Sequence, residues 1–142
     1  MKILIAVDGS RYSLDAVKLL VEHSDWYRER PQIELVTVHL PAPHVGRFGV
    51  GASKSQLERY YAEEGAERLA AARKLLDAAK VRYESRVLVG QVAETIVKHA
   101  KARRCDLICV GNRGAGAVKN AFIGSTASRV LELSDLPVLL VK

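Results

Sequence analysis

The sequence predicts an α/β fold, a three-layer sandwich whose open five-stranded parallel sheet, order 3-2-1-4-5, carries helices on both faces. Three observations predict it. Short β-rich apolar runs alternate with longer amphipathic stretches, the pattern of repeated β-α-β units. The first and fourth strands read as continuous apolar runs, as strands covered on both faces do, so they belong at the centre. The third alternates Arg82, Glu84 and Arg86 with Tyr83, Ser85 and Val87, the mark of an edge strand with one partly wet side. Right-handed crossovers then leave 3-2-1-4-5 as the simplest order.

Each element follows in turn. Residues 3–7 form the first strand. Residues 11–26 form a helix, with Leu14, Val17, Leu20 and Val21 at three- and four-residue spacing and Ser10 as its N-cap. The second strand covers 32–40. A loop at 41–55, holding Pro41, Pro43, Gly46, Gly49 and Gly51, matches nothing specific. A long alanine-rich helix at 56–79 has Gly65 as its weak point; its Tyr60 and Tyr61 read as packing residues rather than a stacking platform. Then come a strand at 82–89, a helix at 92–102, a strand at 106–110, a glycine-rich loop at 111–116, a helix at 124–134 and a final strand at 137–141.

At 142 residues, 49% hydrophobic and 27% charged, the chain has the composition of one soluble globular domain, 1–142. No apolar run approaches the roughly 20 residues that span a bilayer, and the opening segment meets an Asp-Gly-Ser turn instead of a cleavage region; a cytoplasmic location and no membrane partner are expected. Cys105 and Cys109, placed in one strand, lie roughly 13 Å apart at about 3.3 Å per residue, too far to pair. They read as structural thiols, since a metal site would have to draw on His39 and His44. The net charge of +6 does not indicate nucleic acid, because Arg68, Arg73, Lys74, Lys80, Arg82 and Arg86 are interleaved with Glu64, Glu67, Asp77 and Glu84. It suits a small anionic ligand.

The strand order places a change of winding between strands one and four, where open α/β sheets bind ligands. Two loops flank that crevice: Asp8-Gly9-Ser10, and Gly111-Asn112-Arg113-Gly114-Ala115-Gly116, which leads through Val118 to Gly124-Ser125-Thr126. Phosphates need closely approaching backbone amides, and Gly111, Gly114 and Gly116 allow both the approach and positive φ angles. A helix starting at Gly124 adds first-turn amides and its dipole, Ser125 and Thr126 add hydroxyls, and Arg113 and Lys119 add charge. The same glycines also serve ligand-free turns. Asp8 has two readings: a turn or cap carboxylate, or a magnesium ligand beside phosphates.

The spacing is more informative than the loop. Gly111, two residues, Gly114, nine residues, then Gly124-Ser125 resembles the phosphate signature of the ATP-binding universal stress proteins. The resemblance runs the length of the chain, through Ile5-Ala6-Val7-Asp8-Gly9-Ser10, Val36-Thr37-Val38-His39, Val89-Gly90, Ala93-Glu94-Thr95-Ile96 and Asp135-Leu136-Pro137-Val138-Leu139-Leu140-Val141. It implies an adenine nucleotide alpha hydrolase-like fold and an ATP or related adenine nucleotide as ligand. It implies that Ala6, Val7 and Asp8 border the nucleotide, Asp8 near the ribose and polyphosphate or a bound magnesium. It further implies that Val38 meets the adenine edge, that Val110 walls its pocket, and that Gly111, Arg113, Gly114, Gly124, Ser125 and Thr126 surround ribose and phosphates.

These residues bear on three functional classes. A nucleotide-dependent regulatory or stress-response module, acting on an unidentified protein partner, is favoured. An adenylating or hydrolysing enzyme is disfavoured, since Asp8 is the only evident base and no catalytic residue is assigned; any ATP hydrolysis is expected to be slow. Walker and dinucleotide signatures are missing, and strand three ends without the aspartate of a phospho-acceptor domain. A nucleotide-free dimeric interaction or stress-protection protein is the remaining alternative. In either dimeric case strand 137–141, apolar yet at an edge, pairs with its copy in a homodimer.

Overall fold

The computed structural model describes residues 1–42, 53–116 and 122–142. Its strands are β1 (Lys2–Ala6), β2 (Gln32–His39), β3 (Tyr83–Val89), β4 (Leu107–Gly111) and β5 (Val138–Val141). The helices are α1 (Arg11–Glu22), α2 (Lys54–Ala78), α3 (Val92–Ala102) and α4 (Ser125–Leu133). Every pairing is parallel and the order is β3-β2-β1-β4-β5, as strand composition predicts. Pro43, His44, Gly46, Gly49, Gly51, Val118 and Lys119 lie outside the described residues.

Period-two alternation divides the core into two halves. Ile3, Ile5, Ile33, Leu35 and Cys109 pack against Val17 and Leu20 of α1 and Leu69 and Leu76 of α2. Leu4, Val36, Val38, Ile108 and Val110 pack against Ile96 and Val97 of α3 and Val130 of α4. The two cysteines therefore face opposite sides of the sheet. Cys105 precedes β4 instead of lying in it, which corrects the expected boundary. Both thiols are buried and free, and burial pushes Cys109 up to about 12, so it is a packing group without nucleophilic character. Among the described residues no group of three metal-ligating side chains exists, and no helix is long and apolar enough to cross a membrane.

Helix ends show where local sequence rules hold and where they fail. Ser10 caps α1, accepting from the Ser13 amide at 3.3 Å. The helix stops at Glu22, and Ser24–Trp26 form a 3₁₀ turn. Such a turn keeps three-residue spacing, so the apolar rhythm continues after the α-helix has ended. Ser53 and Gln56 form a capping box that starts α2 two residues before the expected 56. α2 and α3 are followed by Lys80 and Arg104 with φ of 53° at both; the next amides reach back from Val81 to Leu76 and from Cys105 to Ala100. Glycine more often fills that position.

Gly65 is not simply a weak point of α2. It is buried where the helix crosses β3, and a Cβ there would come within 2.4 Å of Val87 Cγ2. Helix propensity favours alanine over glycine by about 1 kcal/mol, but overpacking costs about 1–3 kcal/mol. Gly65→Ala is therefore expected to lower stability by about 1–2 kcal/mol; an unchanged or raised urea midpoint would show that Val87 can move aside.

The polar centre of the fold is Glu34, fully buried on β2. Its carboxylate meets Lys2 Nζ at 3.2 Å, Arg86 Nε at 3.0 Å, His99 Nε2 at 2.8 Å and Arg103 Nε at 3.4 Å. Burial alone raises this carboxyl, yet the hydrogen bonds of His99 and Lys2 and the charges of Lys2 and Arg103 outweigh it and hold the group at about 2. A folded value below the ordinary 4.5 means stability that is full above that pH and fades as pH falls toward 2. Glu34→Gln is expected to cost about 3 kcal/mol at pH 7. In urea unfolding the gap between the two proteins should shrink between pH 4.5 and 2; a constant gap would exclude Glu34 as the titrating group.

Candidate functional site

A cleft of about 1010 Å³ opens at the carboxyl ends of β1, β2 and β4, where the sheet reverses its direction of winding between β1 and β4. The residues predicted for the site are brought together there: Ala6, Val7, Asp8, Val38, Val110, Gly111, Arg113, Gly114, Gly124, Ser125 and Thr126 all line it. The cleft has two unlike walls. On the α3 and α4 side Ala6, Val38, Val92, Ile96, Val110 and Ala127 form an apolar wall. On the other side Ser13, His39, Tyr60 and Arg68 contribute polar groups.

Sequence reasoning missed most of that polar wall. His39 lies one residue beyond Val38 at the end of β2, a position that the strand-end rule could have flagged. Arg68 and Tyr60 come from the middle of α2, and nothing local in the sequence points to them. Tyr61 does pack, its ring 5.6 Å from that of His39 and its hydroxyl accepting from the Ala42 amide at 2.6 Å. His39 is buried, and its Nε2 has no hydrogen-bond partner among the described residues. Burial first, and the charge of Arg68 second, lower its pKa.

Asp8 joins the two loops of the cleft. Its Oδ1 accepts from the Ser10 amide at 2.9 Å and its Oδ2 from the Ala115 amide at 2.8 Å. Burial raises this carboxyl, but hydrogen bonds from Ser10, Ala115 and Ser13 together hold it below the usual range. The turn reading of Asp8 is thus realised, while the cap of α1 is Ser10. Each carboxylate oxygen can accept a further contact beyond these amides.

Gly111 and Gly114 act through close approach and not through positive φ, which among the described glycines occurs only at Gly9 and Gly90, whereas Gly116, expected to act alike, shows neither: a Cβ there would meet nothing within 4 Å. A Cβ on Gly114 would lie 2.8 Å from Asp8 Oδ2, and one on Gly111 2.5 Å from the Tyr12 carbonyl oxygen. Gly114 admits the carboxylate; Gly111 admits the first turn of α1. Three amides of this stretch are used internally among the described residues: Ala115 on Asp8, Asn112 on the Val141 carbonyl and Gly124 on the Asn112 carbonyl, the last two at 2.7 Å.

The start of α4 differs. Its N-cap is Gly124, which supplies no side-chain acceptor, and its first turn holds no acidic residue. The amides of Ser125, Thr126 and Ala127 are those that helix geometry leaves without an intrahelical acceptor, and all three residues line the cleft. Arg113 sits at the rim with its guanidinium carbon 5.9 Å from the Tyr12 ring centroid, and its buried Nε has no hydrogen-bond partner among the described residues.

Comparison with known proteins accords with this arrangement. The sequence model of the Universal stress protein family matches residues 1–142. A universal stress protein of Methanocaldococcus jannaschii is 33% identical over 142 residues, 99% of this chain and 81% of that one. Another, from Thermus aquaticus, is 32% identical over 140 residues, 99% of this chain and 97% of its own. Among solved structures, the M. jannaschii protein MJ0577 superposes with a TM-score of 0.82 at 26% identity, covering 99% of this chain and 94% of its own. With a family match across every residue and relatives this similar along their length, the chain belongs to the universal stress protein family.

Proposed function

We propose that this protein is an adenine-nucleotide-binding module of the ATP-binding branch of its family, acting in the cytoplasm as a homodimer that signals to a protein partner. The observation that carries the reading is the uncapped start of α4 at one end of an apolar cleft. A base fits the wall of Ala6, Val38, Val110 and Ile96, and a phosphate suits the free amides of Ser125, Thr126 and Ala127. Relatives support it: solved universal stress proteins include one in complex with cAMP, an Arabidopsis thaliana family protein with AMP bound and an Archaeoglobus fulgidus protein in complex with dAMP.

Binding rather than turnover is the activity. Among the described lining residues Asp8 is the one carboxylate, and both its oxygens already hold amides, so any hydrolysis is slow. Magnesium would arrive with the phosphates and use the remaining lone pairs of Asp8, neutralising phosphate charge. Dimerisation draws support from β5, an edge strand whose Val138, Leu139 and Leu140 remain partly exposed.

Gly124→Asp tests the site without removing the helix, because aspartate is a good N-cap. Its carboxylate would occupy the amides that a phosphate needs and repel the ligand. Calorimetric titration with Mg-ATP should show binding by wild type and a loss of about 100-fold or more in the variant; equal heats would refute the assignment. Light scattering at micromolar concentration should give the mass of a dimer, and a monomer would end the β5 proposal.

A further inference from the structure

Two guanidiniums converge on one tyrosine in the first turn of α1. The guanidinium carbon of Arg11 lies 5.0 Å from the Tyr12 ring centroid, and that of Arg113 lies 5.9 Å from it. Residue 11 opens α1 and residue 113 follows β4, so the ring joins the two loops that flank the cleft. Among the described residues neither arginine makes an ion pair, and the stretches 43–52 and 117–121 hold no Asp or Glu. An aromatic face attracts a cation without neutralising it. The guanidiniums in turn draw the Tyr12 phenol below its usual value, the hydrogen bond of Arg113 first and the charge of Arg11 second.

Arg113 also stands beside the start of α4. A Cβ on Gly124, the N-cap of that helix, would lie 3.3 Å from Arg113 Cα, so the arginine leaves the main chain next to the first-turn amides of Ser125, Thr126 and Ala127. A long side chain in solvent loses rotamer freedom when it grips an anion. Contact with the Tyr12 ring removes part of that freedom beforehand. Tyr12 is itself anchored, since its carbonyl oxygen is 2.5 Å from the Cβ position of Gly111 at the end of β4. Arg113 lines the cleft, whereas Tyr12 is not among the lining residues.

We propose that Tyr12 is a positioning residue for anion binding: it holds the Arg113 guanidinium at the rim of the cleft, beside the α4 amides, so that an arriving phosphate meets a cation already in place. This rests on the reading of the cleft as a nucleotide site and adds the side chain that orients its cation. It concerns only the phosphate on the α4 amides. Tyr12 acts through Arg113 and not by touching the ligand.

Calorimetric titration of wild type, Tyr12→Leu, Arg113→Gln and the double variant with AMP and with adenosine tests this. Tyr12→Leu should weaken AMP by about three- to fivefold, the size of a surface cation–π contact, and leave adenosine unchanged. In the Arg113→Gln background the same substitution should have no further effect on AMP, because nothing remains to be oriented. Tyr12→Phe loses only the hydroxyl and should weaken AMP by about twofold; it carries the same comparison if thermal unfolding shows that leucine disrupts the fold. Equal losses for AMP and adenosine, no loss for AMP, or a Tyr12 effect that survives without Arg113 would overturn the positioning role while leaving the nucleotide site standing. Failure of wild type to bind AMP would remove the nucleotide reading itself, and the role of Tyr12 with it.

Discussion

The carboxylate of Asp8 is the contact on which the site depends. It accepts one amide from the loop after β1 and one from the loop after β4, so it closes the gap between the two central strands at the point where the sheet changes direction. That bridge is possible because residue 114 has no Cβ; any larger residue would collide with Oδ2. Partial burial of a carboxylate has a cost, and here the amides that satisfy it also set the spacing of the cleft. Asp8 and Gly114 thus fix the two loops against each other.

A second polar unit anchors the same architecture elsewhere on β2. Glu34 lies on the face of the strand that also presents Val36 and Val38 to α3. It holds His99 and Arg103 at the end of α3, while Val92 and Ile96 near the start of that helix line the cleft. One helix is thus tethered by charge at its carboxyl end and shapes the apolar wall with its amino end. Breaking the tether would loosen the wall without touching any residue of the site.

The charge distribution gives the cleft its character. Several cations elsewhere are paired: Arg86 and Arg103 with Glu34 and Glu84, Arg129 with Glu94 and Glu132. At the cleft the first turn of α4 holds no acidic residue, and among the described residues neither Arg68 nor Arg113 of the lining makes an ion pair. Such a surface has the charge that the proposed anionic ligand needs.

Strand order, layer assignment and the loops of the crevice were legible from the residues alone, because burial on one or two faces writes itself into period-two patterns and because turns need Gly, Asp and Ser. Gly111, Gly114, Gly124 and Ser125 could be placed in the site from spacing. Their reasons could not: Gly111 yields to Tyr12 and Gly114 to Asp8, contacts between segments roughly a hundred residues apart. Glu34 looked like one more charge in a strand, and Arg68 like one of several on a solvated helix, since nothing local separates a buried or unpaired charge from an exposed one. Local sequence thus determined the elements and their faces, through periodicity and capping. The tertiary structure alone decided which charges meet a partner, because pairing depends on distances that only packing sets.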